Sequence, residues 1–282
     1  LQALRAGALG FSTSRTALHK SKNGEYVPGT SAQPDELLGI AEAIRDAGHG
    51  IFQMAAEHWR RPESEWQWLR DVASRTGVRF SINLNQPADE PELWRETLAH
   101  LEDAARNGMN IEAQVAGRSI GLLMCLQGTV NPLMMHAAYN EVASLPLAER
   151  VVALSEPSRY ARLLTERPNH RFYEQFVGEN FHIMFPVDGS DINYEPTPAE
   201  SIAGLAAATG ASPYAIMIDH LLSNGGNGLI YRPFLNYAYG DLSMTHELLQ
   251  HPLTRNGLSD AGAHCGVICD GGMPTFLLTH WV

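Results

Sequence analysis

The feature that most constrains this chain is a recurring unit: a short apolar run, a turn, then an amphipathic stretch closed by glycine. Short apolar runs of strand length alternating with 3.6-period segments read as βα units. ALGFS (8–12) is the first strand of the series. Pro34, Asp35 and Glu36 then open a helix through LLGIAEAIRDAG, which Gly48 stops. GIFQMAA (50–56) and VRFSINL (78–84) follow as strands, each leading into a helix, ESEWQWLRDVASRTG and EPELWRETLAHLEDAARNG. The tryptophans of these helices stand near helical spacing and read as core. NIEAQV (110–115) is the next strand.

From about residue 120 to 180 the rhythm gives way to an insertion with short helical pieces such as LPLAERVVALSEPSRYARLLTE. FHIMFPV (181–187) restores it. Thr197, Pro198 and Glu200 form a capping box ahead of SIAGLAAATG, Ser212 and Pro213 open another helix, GLIYRPF (228–234) is a strand, and GLSD (257–260) is the last. Strands separated by helices predict a parallel sheet with right-handed crossovers, and a (β/α)8 TIM-like barrel is preferred over an open doubly wound sheet. Neither a GxGxxG after the first strand nor a P-loop is present, which counts against nucleotide binding.

Composition narrows the partners. With 282 residues, 44% of them hydrophobic, the chain can bury a large core, and a net charge of -11 argues against a nucleic-acid surface. No apolar run is long enough to cross a membrane. Small molecules are therefore the expected partners, with a homo-oligomer possible. Three cysteines, Cys125, Cys265 and Cys269, suit a reduced, cytoplasmic protein better than a disulfide scaffold.

In a barrel the working groups stand at the C-terminal strand ends. That rule selects Ser12 to Arg15, Gln53 to Glu57, Asn83 to Gln86, Gln114 to Arg118, Pro186 to Asp191, Asn236 and Asp260 to His264. Asp260, followed by Ala and Gly, can reach a metal or take a proton from water; equally, it can cap the next helix. Arg118 in QVAGRSIG can grip a carboxylate through a bidentate fork, or serve as an ordinary helix-end arginine. His264, Cys265 and Cys269 have the chemistry of zinc ligands but not the spacing of a four-ligand structural site. His264 alone reads better as a substrate-facing group. His58, His136 and His220 lie in or near helical segments and read as packing residues.

GALGFSTSRT, together with GLSDAGAH and PTFLLTHW, resembles the amidohydrolase superfamily, in particular its D-aminoacylase or N-acyl-D-amino-acid deacylase branch. VPGTSAQPDELLGIAEAI, LPLAERVVAL and HPLTRNGLSDAGAHCGVICD extend the likeness over nearly the whole chain. The resemblance implies a metal-dependent (β/α)8 barrel, here an incomplete one over 1–282 that lacks the first strand or strands and the small β domain. It implies one or two zinc ions, with further ligands expected upstream of Leu1. Asp260 would be a metal ligand and the general base, and Asn83, Gln114, Arg118 and His264 would face the substrate.

The chain departs from the family where later metal histidines are expected. GIFQMAAE has Met54 and Ala55, FSINLNQ has Asn83 and Asn85, and AQVAGRSIG replaces a DVYPY-like strand. The expected function is hydrolysis of a non-peptide C–N bond, that of an N-acyl-D-amino acid. The alternatives are a cyclic-amide hydrolase and a catalytically degenerate barrel that binds a ligand or partner.

Overall fold

The structure is a computed structural model. It describes residues 1–282 other than 17, 18, 20, 22, 57–61, 171, 172, 175–179, 189–191 and 262–265. The strands among the described residues are β1 (Gly10–Ser14), β2 (Ile51–Ala55), β3 (Arg79–Asn83), β4 (Ile111–Val115), β5 (Ile120–Met124), β6 (Phe185–Val187), β7 (Leu229–Leu235) and β8 (Thr254–Asn256). The protein is α/β and divides into two compact units, Leu1–Gly117 with Ser243–Leu258, and Arg118–Leu242 with Ser259–Val282.

The first unit holds a five-stranded sheet in the order β1-β2-β3-β4-β8, parallel throughout. Parallel neighbours need a crossover between them, which the helices Pro34–Ala47, Pro62–Thr76 and Leu93–Arg106 supply. Gly48 ends the first of these in the left-handed region at φ 74°, a conformation that costs a Cβ-bearing residue about 1 kcal/mol or more. Burial alternates along β2, β3 and β4. On one face Phe52, Met54, Phe80, Ile82 and Ala113 are fully buried, in one cluster with Leu37, Trp66, Leu69, Trp94 and Leu101 of the helices. The Phe52 and Phe80 rings stack at 4.9 Å. On the other face stand Gln53, Arg79, Ser81, Asn83, Glu112 and Gln114, all half-buried.

The second unit is built around an antiparallel sheet, β5-β7-β6. Its core gathers Met124, Leu133, Leu154, Leu163, Met217, Ile218, Leu221 and Ile230. The pattern FHIMFPV predicts one long strand, but 181–183 is a 3-10 turn and only Phe185–Val187 pairs. Pro186 has no N–H to give a second neighbour, and β6 is accordingly an edge strand. His220 ties β6 to β7, its Nε2 lying 3.1 Å from the Val187 carbonyl and 2.7 Å from that of Leu229.

Two other expectations are corrected. The capping box at Thr197 and Glu200 belongs to the separate turn Pro198–Glu200, while the helix Ile202–Thr209 is capped by Ser201, whose Oγ accepts from Gly204 N at 3.0 Å. Ser201 is itself a strong cap, four residues after Thr197 and directly before the helix. The last strand is Thr254–Asn256, not GLSD, because Leu258 has a φ of 58° and takes the chain out of extended conformation. No helix among the described residues is long and apolar enough to cross a membrane.

Candidate functional site

Asn83 and Gln114 come together in the first unit. They are register partners at the C-terminal ends of β3 and β4, and the two-residue period of a strand puts both on the polar face. Asn83 Oδ1 accepts from the backbone N of Ala56 at 2.8 Å, and Gln114 Nε2 donates to Ser81 Oγ at 2.9 Å. Below them on the same face, Glu112 joins Arg79 and Arg255, its Oε1 lying 2.8 Å from the Arg255 guanidinium. Gly257 closes against this row: a Cβ there would sit 2.9 Å from Gln114 Oε1, so the close approach of backbone to amide depends on glycine.

Arg118 and Asp260 lie in the second unit. Arg118 is fully buried, and the carboxylate that it grips is that of Asp270, 152 residues away in sequence and 1% exposed. Its NH1 donates to Asp270 Oδ1 at 2.7 Å and to the Ser119 carbonyl at 3.0 Å; its NH2 donates to the Cys269 carbonyl at 3.3 Å. The guanidinium carbon lies 3.7 Å from the centre of the Tyr194 ring, a cation–π contact made in a water-poor setting. Arg118 thus holds a carboxylate as its side chain allows, but an internal one, and it offers no exposed edge to a ligand.

Asp270 was not singled out by sequence reasoning. It stands just before the helix Met273–His280, where an acid reads as a simple cap, and no local spacing links it to Arg118. Burial pushes its carboxyl up to about 6 against the opposing pull of the Arg118 guanidinium and of a Gly121 backbone hydrogen bond; the charge of Asp260 pushes the same way as burial. Desolvation therefore outweighs the ion pair, the expected balance when two charges leave water together. Cys269 beside it is pushed up to about 11, again first by burial, and its thiol is not a nucleophile at neutral pH.

Asp260 itself is exposed. The residues on either side of it rest on the turn that carries Asp270. Ser259 Oγ donates to the Asp270 carbonyl at 3.0 Å, and a Cβ on Gly271 would meet the Ala261 side chain at 2.8 Å. His264 and Cys265 lie outside the described residues, as does His58.

The donor set among the described residues does not fit a zinc site. Among the described residues no three His, Cys, Asp or Glu side chains come together as a metal needs. Asp260 is one open carboxylate, Asp270 is committed to Arg118, and Met54, Ala55, Asn83 and Asn85 stand where the resemblance leads one to expect histidines.

No protein-family model matches the sequence, and no curated protein matches it. Among solved structures the chain is similar to N-acyl-D-glutamate deacylase from Bordetella bronchiseptica, which was complexed with zinc and a phosphonate mimic of the tetrahedral intermediate. The TM-score is 0.40 at 18% identity over 91% of this chain and 40% of that one. A D-aminoacylase described as defining a novel subset of amidohydrolases gives 0.40 at 18% over 94% and 41%, and one described for its binuclear metal centre gives 0.40 at 16% over 90% and 40%. The chain spans about 40% of the length of these structures.

Proposed function

We propose that this chain is part of an amidohydrolase acting on non-peptide C–N bonds, with N-acyl-D-amino acids as the substrate class, and that its parallel sheet belongs to a (β/α)8 barrel. The observation that carries the reading is Asp260, an exposed carboxylate that follows the last strand of a parallel α/β sheet by four residues and is braced on both sides. The C-terminal ends of parallel strands are where such folds keep their chemistry. The GALGFS and SDAGAH motifs in their order add to it.

In this reading Asp260 takes a proton from water as the water oxygen bonds to the amide carbon. It returns the proton to nitrogen as the C–N bond breaks and the amine leaves. His264, from the same SDAGAH motif as Asp260, is assigned to the polar parts of the substrate. Zinc belongs to the proposal only if donors outside the described residues hold it.

The test is hydrolysis of a panel of N-acetyl-D- and N-acetyl-L-amino acids and cyclic amides, read by amine release, with zinc content measured on the same preparation. Amine release favouring the D series supports the proposal. A second reading, a degenerate barrel that binds its ligand unchanged, is favoured by the missing histidines at 54, 55, 83 and 85; saturable binding of a panel member without amine release would establish it.

A further inference from the structure

We infer that Ser259 is a positioning residue, a latch that fastens the Asp260 segment to a turn clamped by Arg118 and Asp270. The inference rests on the proposed role of Asp260, and the hydrogen bonds that carry it lie within the second unit. The segment 267–270 is laid along β5: Leu123 N donates to the Val267 carbonyl at 2.9 Å, Leu122 and Ile268 form an antiparallel bridge, and Cys269 Sγ donates to the Gly121 carbonyl at 3.4 Å. Arg118 finishes this seam by gripping both the Cys269 carbonyl and the Asp270 carboxylate. The turn therefore has a fixed backbone, and it is tied to the Asp260 segment by a hydrogen bond from Ser259 Oγ to the Asp270 carbonyl at 3.0 Å.

The latch has something to hold. Leu258, adjacent to Ser259, has a φ of 58°, a conformation that a bulky side chain keeps only where neighbouring contacts over-determine it. Ala261, on the far side of Asp260, is in contact range of Gly271, so the aspartate is held between two ties to one turn. Loss of the hydroxyl removes one of these two ties. A displacement of about 1 Å at a reacting group costs up to about a hundredfold in rate without weakening ground-state binding.

The experiment compares Ser259→Ala and Ser259→Thr in the full chain, with Asp260→Asn as reference. Amide exchange of residues 258–261 is read by mass spectrometry, and kcat and KM on the best panel substrate. Ser259→Ala is expected to exchange about tenfold faster and to lose about tenfold in kcat at unchanged KM, and Ser259→Thr to restore both. Unchanged exchange in Ser259→Ala overturns the latch. Faster exchange with unchanged kcat, in a protein that Asp260→Asn inactivates, overturns its positioning role. Turnover that survives Asp260→Asn instead defeats the hydrolytic reading, and exchange alone then decides whether Ser259 holds this segment.

Discussion

The two units solve the problem of polar groups in opposite ways. In the first, the sheet separates them: Phe52, Met54, Phe80 and Ile82 face the helices, while Arg79, Glu112 and Arg255 pair on the half-open polar face. In the second, an ion pair is buried outright, with Arg118 0% and Asp270 1% exposed among aromatic rings. The first arrangement draws its stability from apolar area. The second draws little net stability from its charges but fixes one geometry, since a half-broken buried pair costs far more than either intact alternative.

That contrast can be broken experimentally. Phe80→Ala empties space in a fully buried stack and should destabilise the first unit by about 3–5 kcal/mol in denaturant unfolding, with no second substitution on the polar face recovering it. Arg118→Met leaves Asp270 buried without its cation and should cost about 3 kcal/mol or more, but here Asp270→Leu added to it should recover most of the loss. Failure of the double variant to recover would mean that the pair, not its burial, stabilises the unit.

Titration gives a finer separation. His136 is fully buried in the second unit against the edge of Tyr173, and burial lowers its pKa; Arg167 lowers it further, while Glu166 and the Leu133 backbone pull it up. The unfolded chain takes up a proton near 6.5 that the folded one resists, so the contribution is complete above that pH and is lost as pH falls through it. Asp270, held up to about 6, works the opposite way over the same range, so the test is a difference: from pH 7.5 to 5 the unfolding midpoint of the unaltered chain should fall relative to that of His136→Leu. The smallest effect belongs to the open face of the first unit. Arg79→Ala removes a partly exposed partner of Glu112 that Arg255 still serves, and should change stability by under about 1 kcal/mol.

The same contrast explains what could be read from sequence. Strand and helix periods repeat locally, so the parallel order of β1 to β4, the crossover helices and the buried Trp66 and Trp94 were all legible. Asn83 and Gln114 are each placed at a strand end by the same periods, but their register as partners comes only with the structure, because a two-residue period gives a face and not a register. Arg118 reads as a fork for a substrate carboxylate; it holds a carboxylate through NH1 alone, and that of Asp270, which sequence could not reveal because 152 residues separate the two and nothing local marks Asp270. The antiparallel β5-β7-β6 sheet was hidden likewise: β5 falls in the stretch from about 120 that reads as an insertion, and nothing local in the runs of β6 and β7 shows that they pair antiparallel. GLSD was misread as a strand because its apolar pattern does not reveal the positive φ of Leu258.

The central claim is that Asp260 moves the proton in amide hydrolysis. It is tested most directly by turnover and ligand affinity of Asp260→Asn measured side by side with the unaltered chain on the same N-acyl-D-amino acid. The account predicts that kcat falls by about 10²–10⁴ while the ligand still binds. Turnover retained within a factor of two would contradict it, and would return Asp260 to the role of an exposed residue on a braced loop.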